Sequence, residues 1–244
     1  MTSLIDTPKY RDLIYDVGLH RGEDSEFYLR KGFRVVAFEA DPDLITSCRG
    51  RLKEFVDSGQ LIIIEGAIVD ANAIKAGPKK VRFYKNCENS VWGTASSDWA
   101  DRNARLGTSS RVIEVDAINF ADAIREHGVP YFMKIDIEGC DTVCISALVG
   151  FKEQPAYISI ESDKTSFDNI KREIDLFIKL GYTSFKAVEQ SGLHLSQSPP
   201  HPQRVECPAN SVPAEMRQTG MEGACNDTRQ EANAGADRER AAAN

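Results

Sequence analysis

The sequence predicts an α/β fold, a doubly wound and mainly parallel sheet with helices on both faces. Three observations predict it. Short apolar, β-branched runs alternate with helical stripes along residues 1–190. A glycine turn, Gly18 to Gly22, follows the first run. An acid, Glu39, ends the second.

The elements follow in order. LIYDV (13–17) is a short apolar strand. Residues 23–31 form a helix and FRVVAFE (33–39) a β-rich strand. Asp41 then Pro42 give an N-cap and a proline at the first helical position. Leu44, Ile45, Cys48, Leu52, Phe55 and Val56 repeat at helical spacing, and Gly59 ends that helix. LIIIEGAIV (61–69) is a buried strand. VRFYK (81–85) and RVIEV (111–115) are strands around an irregular stretch, 86–110. A helix over 119–127 ends at Gly128. YFMKIDI (131–137) is a strand, 141–149 a helix and AYISIE (156–161) another strand. Phe167, Ile170, Ile174, Phe177 and Ile178 stripe the next helix, which Gly181 closes, and YTSFKAVEQ (182–190) is a last strand.

From about Gln190 the composition changes. Every aromatic residue lies at or before Phe185, and half of the 10 prolines lie beyond Gln190. Such a segment cannot bury enough apolar surface to offset its ordering entropy. Two parts are therefore expected, an ordered domain over 1–190 and a disordered, low-complexity tail over 191–244. The abrupt change is the kind a reading-frame change or a truncated gene would leave, and the nucleotide sequence in three frames tests that.

A net charge of −7 argues against a nucleic-acid partner or an anionic membrane surface. No apolar window is long enough to span a bilayer, and the N-terminus lacks a signal-peptide pattern, so a cytoplasmic location is expected. Six cysteines without a C-x-x-C pair read as free thiols, Cys140 and Cys144 as core thiols.

In a doubly wound sheet, ligands bind beyond the carboxyl ends of the strands. After the first strand stands Asp16-Val17-Gly18-Leu19-His20-Arg21-Gly22, and after the second Glu39, a carboxylate suited to two ribose hydroxyls. Dinucleotide sites use G-x-G-x-x-G to approach a pyrophosphate. Here the spacing is G-x-x-x-G behind an acid. Asp16 and Glu39 suit S-adenosyl-L-methionine, which has a ribose, a sulfonium and an amine but no phosphate. Lys134, Asp136 and Glu138 alternate with apolar neighbours, which puts the three on one side of a strand. A lysine and an acid there pair with each other or face the reacting group. Asp136, Glu138, Glu161 and Asp163 could converge and bind a hard cation, yet acid-lined clefts without metal are commoner, and no metal is assigned.

Ile14-Tyr-Asp-Val-Gly-Leu-His-Arg-Gly, Val36-Ala-Phe-Glu-Ala-Asp-Pro and Met133-Lys-Ile-Asp-Ile-Glu-Gly-Cys-Asp resemble, in that order, three motifs of the FkbM family of S-adenosylmethionine-dependent methyltransferases. The resemblance covers roughly residues 12–188. It implies a Rossmann-like class I methyltransferase fold and methylation of a hydroxyl on a sugar, glycolipid, polyketide or related metabolite. Asp16, Gly18 and Gly22 would line the methionine end of the cofactor. Glu39, beside Ala40, would hold the ribose, Gly66 and Ala67 would lie near the adenine, and Asp136 and Glu138 would face the transfer site. His20 stands near the family's usual Asn, and Ala40 where Pro is frequent. The family continues into a closing strand where this chain enters its proline-rich tail, so a sheet lacking its last strand is an open expectation.

For transfer to a weakly nucleophilic hydroxyl, the enzyme aligns the oxygen and removes its proton. His20 or Asp136 is the expected base, with Lys134 orienting Asp136. Asn89, Ser90, Trp92 and Trp99 in the irregular stretch are candidates for the wall facing a small-molecule or glycan acceptor. Two other readings remain: a non-catalytic nucleoside-binding or interaction module derived from a methyltransferase, and a nicotinamide-dependent oxidoreductase. The glycine spacing disfavours the second.

Overall fold

The computed structural model describes residues 4–76, 79–162 and 166–188. The elements run β1 (Lys9–Val17), α1 (Glu23–Arg30), β2 (Arg34–Glu39), α2 (Pro42–Arg51), α3 (Lys53–Asp57), β3 (Leu61–Glu65), β4 (Ala67–Ile68) and α4 (Ala71–Ala76). They continue with β5 (Lys80–Asn86), a 3-10 turn (Ser90–Trp92), α5 (Ser97–Arg105), β6 (Ser110–Ile118), α6 (Phe120–His127), β7 (Val129–Ile135), α7 (Asp141–Leu148), β8 (Tyr157–Ile160) and α8 (Phe167–Lys179). Met1–Phe185 forms one compact unit. The expected tail, 191–244, lies outside the described residues.

Five parallel strands form the central sheet in the order β3-β2-β1-β7-β8. The chain winds outward from β1 to β3, then returns to the other side of β1 with β7. The switch point therefore lies between β1 and β7, and their carboxyl ends open the crevice where ligands bind such sheets.

Both sheet faces are buried, as a parallel sheet with helices on each side requires. Period two divides β2 between them. Val36 and Phe38 face a cluster with Tyr15, Val17, Phe120, Ile124, Ile145 and Leu148. Val35 and Ala37 face Leu19, Leu29, Cys48 and Leu52, from the α1 and α2 side. Tyr15, fully buried, donates its hydroxyl hydrogen toward the carbonyls of Gly128 (2.9 Å) and Ala123 (3.2 Å), so its one polar atom is satisfied. Burying each such large apolar side chain contributes about 1.5–3 kcal/mol.

Several expectations change in detail. Asp41 caps α2 through its carboxylate, which accepts from the Asp43 N–H, but the helical stripe breaks at Leu52 into α2 and α3. The strand expected over 61–69 divides at Gly66 (φ 135°), where a Cβ would lie 2.3 Å from the Asp116 carbonyl oxygen. That glycine admits β6 against the chain, and β4 pairs with β6 in a second sheet, β4-β6-β5. The segments 81–85 and 111–115 are thus an antiparallel pair outside the main sheet. Residues 86–110 are less irregular than expected, since Ser96 caps α5 there.

The last expected strand does not form over Tyr182–Val188; Glu189 and Gln190 lie outside the described residues. Tyr182 instead donates to the Pro155 carbonyl (2.7 Å) and stacks edge-on against Phe177. Among the described residues β8 has one strand neighbour, β7. No helix among them is long and apolar enough to cross a membrane.

Candidate functional site

The turn after β1 is built by close backbone approach. Gly18 (φ 94°) lies so near β7 that a Cβ would sit 2.0 Å from the Asp136 carbonyl oxygen. Its N–H, like that of Leu19, donates to the Phe38 carbonyl, which ties the turn to the end of β2. His20 also takes positive φ, 49°. Gly22 (φ 76°) closes the turn in the left-handed region and opens α1.

Asp16 is buried at the floor of this turn. Its Oδ2 accepts from the Ser25 hydroxyl at 2.7 Å, while Oδ1 has no hydrogen-bond partner. Burial pushes its pKa up to about 6, although Lys134 and Ser25 pull the other way. The Lys134 Nζ stands 3.6 Å from Asp16 Oδ1, 3.3 Å from Asp24 and 3.6 Å from Asp136. Desolvation disfavours its charge, but the three carboxylates more than compensate and raise its pKa. Lys134 is thus shared among three acids, with Asp136 as one partner.

Glu39 is nearly buried and densely bonded. Its Oε1 accepts from the Ala40 N–H (2.8 Å) and the Asp41 N–H (2.9 Å), and Oε2 from the His20 N–H (2.8 Å). A carboxylate has about four acceptor positions, so one remains, on Oε2. Glu39 therefore has room for one further donor, where the sequence suggested two ribose hydroxyls. Burial raises the Glu39 pKa against the three backbone donors. Ala40 and Ala67 are buried, and Gly66 donates its N–H to the Glu39 carbonyl (2.8 Å), so these residues share the β2–β3 end of the crevice.

Beyond β7 the alternation expected of Lys134, Asp136 and Glu138 ends, because the strand stops at Ile135. Glu138 adopts φ 45°, a left-handed conformation uncommon outside glycine. The carboxylate oxygens of Asp136, Glu138 and Glu161 nevertheless converge within 4.8 Å of one another and could hold a hard cation; Asp163 lies outside the described residues. Burial, then the charges of Glu161, Asp136 and Asp141, push the Glu138 pKa up to about 7.

Glu138 also borders a cavity of about 520 Å³, with Trp92, Trp99, Arg102, Glu161 and Arg172 among its walls. Gly139 explains how the indole of Trp99 fits. A Cβ at Gly139 would meet that ring at 1.9 Å. Thr94 donates to the Glu138 carbonyl (2.7 Å) and fixes the 86–110 segment to the loop after β7. His20 lies elsewhere, its Nε2 2.8 Å from the Ser90 Oγ, and burial lowers its pKa. Nothing local in the sequence marks Arg102 or Arg172. Each sits on a helical face with no local motif, and only the approach of α5 and α8 to the end of β7 reveals them.

A parallel sheet whose first strand ends in a glycine turn beside the switch point, and whose second ends in a caged carboxylate, defines a doubly wound α/β protein with its crevice at the strand carboxyl ends. This chain belongs to the methyltransferase FkbM domain family, which it matches over residues 16–190. It is similar to a solved structure described as methyltransferase FkbM from Methylobacillus flagellatus KT, with 17% identity over 70% of this chain and a TM-score of 0.41. The match spans 38% of that chain's length. No curated protein matches the sequence.

Proposed function

We propose that this protein transfers a methyl group from S-adenosyl-L-methionine to a hydroxyl of a sugar, glycolipid or related metabolite. The observation that carries this reading is the buried Asp16 Oδ1, which has the Lys134 ammonium at 3.6 Å but no close hydrogen-bond partner, beneath the turn from Gly18 to Gly22. Lys134 stands too far for a short bond, and the amine of a bound ligand would complete the hydrogen bonding of this buried acceptor. The donor set therefore fits the cofactor: Asp16 for the amino group, Glu39 Oε2 for a ribose hydroxyl, and the turn at Gly18 and Gly22 around the methionine end. Gly66, Ala40 and Ala67 bound the end assigned to the adenine. When bound, S-adenosyl-L-methionine supplies an electrophilic methyl group on its sulfonium.

The acceptor enters the cavity beside Glu138. A base works best with a pKa near the working pH, and Glu138 meets that condition where the acceptor would sit. Its carboxylate takes the hydroxyl proton as the oxygen is methylated. Burial, then the carboxylates of Glu161 and of Asp136 beside Lys134, keep Glu138 in the raised range. His20, bonded to Ser90, positions the 3-10 turn against the cofactor loop. Glu138→Gln is expected to lower kcat by about 10²-fold or more while leaving cofactor affinity unchanged, read by steady-state kinetics and calorimetry. EDTA tests whether an ion among Asp136, Glu138 and Glu161 is essential: with Glu138 as the free base turnover is unchanged, and a loss would assign the cluster to a cation.

Cofactor affinity has a pH signature. An amine binds the ionised carboxylate, so affinity is expected to rise as pH passes upward through about 6, where Asp16 loses its proton. Asp16→Asn is expected to flatten that profile and weaken binding about tenfold or more. Calorimetry between pH 5 and pH 8 (a span of about three units around that pKa) reads both. Failure to bind S-adenosyl-L-methionine would overturn the proposal. Binding without release of S-adenosylhomocysteine on any hydroxyl acceptor would favour a non-catalytic module.

A further inference from the structure

The cavity beside Glu138 has a divided lining. Its sheet side is acidic, with Glu138 and Glu161 at the strand ends. Glu173 is buried and accepts from the Ser162 hydroxyl at 2.5 Å; Asp141 is buried where α7 begins, its Oδ1 3.4 Å from the Ile137 N–H. Those two carboxylates are engaged within the fold. The helical side is basic. Arg102 on α5 packs 4.5 Å from the ring centre of Trp99 and donates to Asn103 Oδ1 at 3.1 Å. Arg172 on α8, exposed at the rim, donates to the Asp168 carbonyl (3.2 Å) and to the Asn169 side chain. Among the described residues, neither guanidinium makes an ion pair.

We propose that this cavity takes a polyhydroxyl ligand bearing an anionic group, a uronate or a sugar phosphate, with Arg102 and Arg172 holding the anion. The inference rests on the cavity being the acceptor site of the proposed reaction. Guanidinium groups match carboxylate and phosphate oxygens bidentately, and Arg102 is already oriented by its stacking on Trp99. Trp92 and Trp99 both line the cavity and add apolar surface for a sugar ring. With the anion on the helical side, a ring hydroxyl can reach Glu138 on the sheet side. A cation would suit the acidic side alone and leave both arginines facing like charge.

The protein provides its own reporter, since Trp92 and Trp99 are the two tryptophans of the sequence and both line the cavity. Tryptophan fluorescence of the full chain is titrated with D-glucose, D-glucuronate and D-glucose 6-phosphate at constant ionic strength. At least one anion is expected to bind about tenfold tighter than glucose, since a hydrogen bond to a charged group contributes that much. A response to glucuronate alone, or to the phosphate alone, decides which anion is taken. Arg172→Gln, at the exposed rim where folding is not at risk, is expected to remove most of that preference and leave glucose unchanged. Arg102→Gln acts in the same direction, with circular dichroism checking that the Trp99 wall is intact. Equal affinity for glucose and both anions, no response to either anion, or full preference retained in both variants would overturn the proposal. The readout needs neither cofactor nor turnover. Anion preference without methyl transfer would sink the proposed reaction and leave this inference standing, and turnover on neutral acceptors alone would do the reverse.

Discussion

Gly18→Ala is expected to destabilise the domain by about 3 kcal/mol or more and to abolish cofactor binding. Two costs combine. An alanine at φ 94° is strained by itself, because a Cβ there crowds its own backbone. The added carbon would also stand 2.0 Å from the carbonyl oxygen of Asp136, just beyond the end of β7, where the backbone is tied to β1. Asp136 donates its own N–H to the Val17 carbonyl at 2.8 Å, so relief means separating the ends of β1 and β7. That displaces the Asp16 carboxylate on one strand and Lys134 on the other. Urea unfolding gives the stability loss and calorimetry the loss of S-adenosyl-L-methionine binding. The contrasting control is Gly32→Ala, where φ is also positive (89°) but no atom lies within 4 Å of the new carbon. A loss at Gly18 no larger than at Gly32 would show that the β1–β7 approach is not what demands glycine.

Lys134→Met is the second large effect, expected to cost about 3–5 kcal/mol near pH 8 and clearly less near pH 5.5. Removing one partner of a buried pair leaves the other charge without compensation. Here Lys134 serves Asp16, Asp24 and Asp136 together, and Asp16 is the buried one. The sign follows from proton linkage. Asp16 already has a folded-state pKa of about 6, above the ordinary carboxylate value, so the native state holds more protons than the unfolded chain between those two values. Stability from this group therefore falls as pH rises through that window. Without the ammonium the folded pKa moves further up and the window widens toward alkaline pH. At low pH the neutral acid tolerates the methionine. Urea midpoints of wild type and variant at both pH values test this, and a loss independent of pH would show that Lys134 acts through packing rather than charge.

Much of this was legible in the chain. Alternation of β-branched runs with helical stripes placed β1, β2, β7 and β8, because strand and helix periods differ and both sheet faces need apolar residues. The Asp41-Pro42 cap was readable because capping is local chemistry. Both β5 and β6 were read as strands, but their antiparallel pairing was not legible, since a short amphipathic strand has the same pattern whether its neighbour is parallel or antiparallel. The 182–188 segment misled for a different reason. Its β-rich composition permits a strand, but Tyr182 and Phe185 pack their rings onto Phe177 of α8. In the site, Asp16, Gly18, Gly22 and Glu39 stood out because glycine and acid at a strand end are a local pattern. Arg102 and Arg172 did not, being ordinary arginines on amphipathic helices.

The sequence by itself determined the doubly wound fold class and the family to which the chain belongs, and it drew attention to the acids and glycines at the strand ends. Those follow from periodicity and from residues adjacent in the chain. Only the tertiary structure decided that Lys134 is divided among three acids, that Glu39 keeps a single acceptor position, and that Glu138 opens onto a cavity walled by two tryptophans and two arginines. Each is a relation between segments distant in the chain, set by how β7, α5 and α8 pack, and burial then fixes the charge each group can bear.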